Sequence, residues 1–125
     1  MTASDLKPGT VLATATAVAS VPIRRVEAHI HTRGARRLLG LGPDQSLAVG
    51  AVPEKSMVWM HGGYWYQGEY IFESAGDNRT RVTYRIRNIS GRPDWLIRIW
   101  QRRHLRTLQL DVDRFAAELP ARVAA

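Results

Sequence analysis

Three patterns predict an α+β fold in which a long C-terminal helix covers an antiparallel sheet. The run TVLATATAVA (10–19) is rich in Val and Thr and alternates in size, which is a strand signal. Four more strand-like runs lie between residues 46 and 89, separated only by short turns, as in an antiparallel meander. Leu105, Leu108, Val112, Phe115 and Leu119 then repeat at three- and four-residue spacing, the apolar stripe of an amphipathic helix.

Taken in order, the first strand runs into Ser20-Val21-Pro22, where proline suits a first helical position. Residues 22–39 read as one or two short helices. Val26, Ile30 and Leu38 form their apolar face, with Arg24, Arg25, Arg33, Arg36 and Arg37 outside, and Gly34 is expected to break the segment. Leu39 to Asp44 is a loop. The meander follows as SLAVGAV (46–52), SMVWMH (56–61), YWYQGEYIFES (64–74) and RTRVTYRIRNI (79–89), with Gly62-Gly63 as a hairpin turn. The last run places Val82, Tyr84 and Ile86 on one face and Thr83, Arg85 and Arg87 on the other. An arginine face of that kind is expected in water or against a partner. One helix is predicted from Pro93 to Leu119, stopped by Pro120. No repeat or domain boundary is visible, so residues 1–125 read as a single domain.

Composition narrows the chemistry. Hydrophobic residues make up 45% of the 125, and there is no cysteine, which excludes disulfides, thiolate metal sites and thiol nucleophiles. The start MTASDLKPGT lacks a signal-peptide pattern, and no apolar run approaches the ~20 residues of a membrane span. The expectation is a cytoplasmic protein. The net charge of +7 is local: residues 79–106 hold nine arginines and one acid, Asp94. Arg79, Arg81, Arg85 and Arg87 belong to a strand, and Arg98, Arg102, Arg103 and Arg106 to the last helix. If those lie on opposite sides of the sheet they form no contiguous patch, which argues against nucleic acid as partner.

Six of the ten aromatic residues fall between Val58 and Phe72. One register of the third meander run points Tyr64, Tyr66, Tyr70 and Phe72 inward. It sends Trp65, Gln67, Glu69, Ile71 and Glu73 outward, which spares three polar groups from burial. In the preceding run Trp59 and His61 share one face and Val58 and Met60 the other, and the pattern leaves open which face is inner. On the last helix Leu96, Trp100 and His104 align at four-residue spacing. His29 and His31 diverge on a helix, and no HExxH spacing exists, so neither a metal nor a cofactor is expected. No GxSxG or P-loop motif is present.

AVASVPIRRV (17–26), GEYIFES (68–74), TRVTYRI (80–86) and the amphipathic C-terminal helix resemble the START-like superfamily. This is the helix-grip fold of polyketide cyclases, pollen-allergen-like proteins and lipid-transfer domains. The resemblance covers most of the chain. It departs in the first short helix, where Arg25-Val26-Glu27 stands in place of the usual aromatic residue. The resemblance implies a curved sheet wrapped around the last helix, with a cavity between them for a hydrophobic or aromatic small molecule. Its lining would be Tyr64, Tyr66, Tyr70, Phe72, Tyr84, Trp100 and His104, with Arg98 and Arg102 at the mouth to pair with a carboxylate. A second reading is an aromatase/cyclase or dehydratase, with His61 or His104 as base and a tyrosine hydroxyl polarising a carbonyl. A third is a toxin- or stress-linked interaction protein of actinobacterial type, using the basic surface on an acidic protein or RNA.

Overall fold

The computed structural model describes residues 6–41, 48–62 and 65–124. The expected Gly42-Pro43-Asp44 loop segment, the start of the SLAVGAV run, the second glycine of the Gly62-Gly63 turn and Tyr64 lie outside them. The alternating runs form strands β1 (Thr10–Ala19), β2 (Val49–Val52), β3 (Met57–Gly62), β4 (Tyr66–Ser74) and β5 (Thr80–Asn88). They build one curved antiparallel sheet in the order β1-β5-β4-β3-β2. The meander is therefore intact, and β1 returns to pair with its last strand. A register shift between Val11 and Ala13 bends β1 and turns Leu12 into the core.

Between β1 and β2 stand two short helices, α1 (Ile23–Glu27) and α2 (Thr32–Leu38), whose Val26 and Leu38 are fully buried. Gly34 does not break this segment. It lies inside α2, where an added Cβ would collide with the His29 carbonyl, and the break falls at Ala28–His31 instead. The His31 side chain caps α2 by accepting the Gly34 N–H at 3.1 Å.

The single C-terminal helix predicted from Pro93 to Leu119 is three: α3 (Asp94–Trp100), α4 (Arg102–Arg106) and α5 (Leu108–Arg122). At the second break the Thr107 hydroxyl donates back to the His104 carbonyl at 3.0 Å, a side-chain bond that bends helices. Nor does Pro120 end the helix. The chain continues to Arg122, closed by the Val123 N–H on the Leu119 carbonyl at 3.2 Å, and forgoes the one bond proline cannot donate. Asn88 fixes the turn into α3, donating to the Arg92 carbonyl and the Asp94 carboxylate and accepting from Ser90.

The main core lies between the inner face of the sheet and α5. Val58, Tyr70, Phe72, Val82, Tyr84 and Ile86 meet Leu108, Val112, Phe115 and Leu119 there. The outer face is covered too. Val52, Met57 and Trp59 form a second small core with Leu6, Ala48 and Ile71. Gly50, directly opposite Trp59, leaves room for its indole to lie across the strand pair. Among the described residues no helix is long and apolar enough to cross a membrane.

Candidate functional site

Strand pairing settles the aromatic register. Val58 faces Tyr70 and Met60 faces Gly68 on the inner side, while Trp59 faces Glu69 and His61 faces Gln67 on the outer side. Tyr70 and Tyr84, opposite each other across β4 and β5, stack at 4.3 Å with rings 4° from parallel. Phe115 of α5 stacks on Tyr70 at 4.1 Å. Beside this column an open cleft of about 270 Å³ runs between sheet and helix. Its walls are Tyr66, Tyr70, Tyr84, Met60 and Leu39 on one side and His104, Asp111 and Phe115 on the other, with Arg114, Glu118 and Arg122 along the rim.

Four of the residues expected to line a pocket therefore meet in one place: Tyr66, Tyr70, Tyr84 and His104. His104 packs its ring 5.0 Å from Tyr66 and edge-on to Trp65 at 5.4 Å. Its Nε2 is buried and finds no hydrogen-bond partner among the described residues. The tyrosines around it are firm donors. Burial first, then the charge of Asp111, raises the Tyr66 phenol above its ordinary value. Burial pushes the Tyr70 and Tyr84 phenols higher still, although a hydrogen bond from Tyr84 partly relieves Tyr70. Asp111 accepts from the Thr107 hydroxyl at 3.3 Å. Arg122 is engaged by the Leu38 carbonyl and by Glu118, whereas Arg114 forms no ion pair among the described residues.

Other expected site residues lie elsewhere. Phe72 is 2% exposed and sits deeper in the core, 6.1 Å from Phe115. Trp100 is 54% exposed and leans on Arg92, because the break at Gln101 ends the alignment that carried it toward His104. Arg98 and Arg102 are exposed on α3 and α4 and do not line the cleft. His61 is on the outer face, its Nε2 2.9 Å from Gln67 Oε1 and its ring 4.8 Å from Trp59. It cannot act in a cleft on the other side of the sheet.

The outer face holds a second polar constellation. Gln67 and Glu69 do point outward, but they are 0% and 1% exposed. Arg85 grips Glu69 at 2.7 Å and Arg87 at 2.9 Å, Gln67 donates to it at 2.7 Å, and Lys7 N–H binds Gln67 at 3.0 Å. Burial alone would raise the Glu69 carboxyl; the bonds from Arg87 and Gln67 and the charges of Arg87 and Arg85 outweigh it and hold the group below its ordinary value. The arginine face of β5 is thus largely a roof over a buried carboxylate rather than a free surface. Trp65, expected outward, instead precedes β4 and joins the inner core.

The sequence reading missed the α5 side of the cleft. Asp111, Phe115, Glu118 and Arg122 recur at four, three and four residues, a spacing that marks one helical face. Among the described residues no group of three or more His, Asp or Glu could hold a metal ion.

No protein-family model matches the chain, and no curated protein is similar to it. Among solved structures it is similar to that of TTHA0849 from Thermus thermophilus, with a TM-score of 0.52 and 15% identity over 94% of this chain and 97% of the other. At that identity the likeness concerns the fold alone.

Proposed function

We propose that this is a cytoplasmic, START-like binding protein that holds a small aromatic or apolar molecule bearing an oxygen acceptor or hydroxyl. The cleft between the inner sheet face and α5 is its site. One observation carries the reading: of the buried side-chain atoms without a partner among the described residues, Ser56 Oγ, Trp59 Nε1 and His104 Nε2, the histidine nitrogen is the one that belongs to a residue lining the tyrosine cleft. A bound ligand atom would complete it on a small turn of the imidazole that brings the covered Nε2 to the cleft. Aromatic walls with hydroxyl tips suit such a ligand. The volume of about 270 Å³ favours a molecule of one or two rings.

Native mass spectrometry of protein from its own host, before and after organic extraction, tests this. The expected result is an adduct lost on extraction. His104→Leu should then weaken rebinding of the extracted compound about three- to tenfold, the worth of one hydrogen bond. A clean apo mass, with no thermal shift across a panel of small phenols and aromatic ketones, would count decisively against the proposal.

A second reading, a cyclase- or dehydratase-type proton-transfer enzyme, is favoured by the same pairing of one cleft histidine with protonated tyrosines. There His104 takes the proton and a tyrosine hydroxyl polarises the carbonyl, with no role for His61. Its signature is exchange of a ligand's acidic C–H for deuterium that stops in His104→Leu.

A further inference from the structure

The α3–α4 segment presents a face that meets the cleft only at His104. Trp95, Ile99 and Trp100 are 63%, 57% and 54% exposed, the opposite side of α3 being anchored by fully buried Ile97. Trp95 and Ile99 are one turn apart, and Ile99 and Trp100 share a shallow surface depression with Arg102 and Arg103. Arg92 stands over the Trp100 ring at 5.6 Å. The arginines here differ from those of β5. Arg81, Arg85 and Arg87 are tied to Glu73 or Glu69, whereas Arg98, Arg102, Arg103 and Arg106 form no ion pair among the described residues. Asp94, the only acid between Arg92 and Arg106, is taken up by Asn88.

We infer that this face docks on an anionic lipid bilayer. Large exposed apolar groups ringed by unpaired cations match an interface with apolar depth and surface phosphates. Tryptophan favours that boundary because its ring is apolar and its N–H polar. A second copy of the chain would bring like charges together. A nucleic acid could take the arginines and stack on the indoles, but it offers nothing to Ile99. The docking is peripheral, and its depression meets the cleft at His104.

The test is sedimentation of the full chain with vesicles of equal parts phosphatidylcholine and phosphatidylglycerol, beside vesicles of phosphatidylcholine alone. The protein should pellet with the anionic vesicles and remain largely soluble with the zwitterionic ones, and added salt should weaken the binding. Its tryptophan emission should shift blue on binding; Trp59 and Trp65 are already buried, so the shift reports Trp95 and Trp100. Trp95→Ser with Trp100→Ser should lower partitioning by about tenfold or more, and Arg102→Ala about fivefold, the worth of one charge at such a surface. Both variants alter exposed side chains, so circular dichroism should match the parent. Failure to pellet with anionic vesicles overturns the proposal. So does vesicle binding unchanged by the double tryptophan variant, or capture of an acidic protein or RNA through this face in place of the vesicles.

Discussion

The polar groups on the two sides of the sheet are used in opposite ways. On the outer face Glu69, Gln67, Arg85 and Arg87 close on one another, and His61 and Lys7 join through Gln67. On the inner face three tyrosines, His104 and Asp111 surround open space, and the His104 Nε2 has nothing to bind among the described residues. Charge alone therefore does not mark a site. The outer set is largely satisfied, with Trp59 Nε1 beside it left unpartnered among the described residues, whereas under the proposed function the unfinished set of the cleft is where a ligand would add something.

The contrast can be broken most forcefully at Glu69. Glu69→Ala strands two partly buried guanidinium groups and should cost about 3–5 kcal/mol in chemical denaturation, since breaking a buried ion pair leaves uncompensated charge. Loss of ligand binding at constant stability would invert the assignment of the two faces. The same carboxylate should give an acid signature. Its folded value is depressed, so its contribution is complete above the ordinary value of 4.5 and disappears as pH falls through the lower folded one. Stability curves of the parent and Glu69→Gln should therefore converge toward low pH. A smaller effect sharpens the inner side. Tyr66→Phe should leave stability within about 1.5 kcal/mol, the net worth of one hydrogen bond, yet weaken ligand binding severalfold in a titration. Smallest of all, Arg81→Ala removes an exposed pair with Glu73 at 3.4 Å and should change the unfolding midpoint by less than about 1 kcal/mol of stability.

The strands were readable because alternation and turn residues are local signals, and Val82, Tyr84 and Ile86 fall on the predicted face. The β3 register was not, because both its faces are apolar. Met57 and Trp59 are buried as fully as Val58, under a cover that includes Leu6, far away in sequence. The burial of Glu69 needed knowledge that Arg85 and Arg87 lie on the neighbouring strand, which alternation alone does not supply. The helix breaks escaped for a different reason. Gln101-Arg102-Arg103 consists of good helix formers, so nothing in propensity flags the break at Gln101 that leaves Trp100 exposed instead of in line with His104. Of the cleft lining, the shared face of Tyr66, Tyr70 and Tyr84 could be read from alternation, whereas the four-residue alignment that pointed to His104 is broken at Gln101. The openness of the cleft depends on how α5 seats, which is a tertiary property.

The return of β1 to β5 has a consequence for synthesis. Thr10 pairs with Asn88 and Ala19 with Thr80, so the first strand made waits for the last. At roughly 5–20 residues per second, a ribosome leaves β1 without its partner for several seconds. A strand of Val and Ile alone would be an aggregation hazard over that interval. β1 is instead mostly alanine and threonine, and Thr14 and Thr16 are not buried even in the finished sheet. Replacing both with valine should change native stability little and raise light scattering during refolding. Unchanged scattering would mean that the composition of this strand has no bearing on how safely it waits.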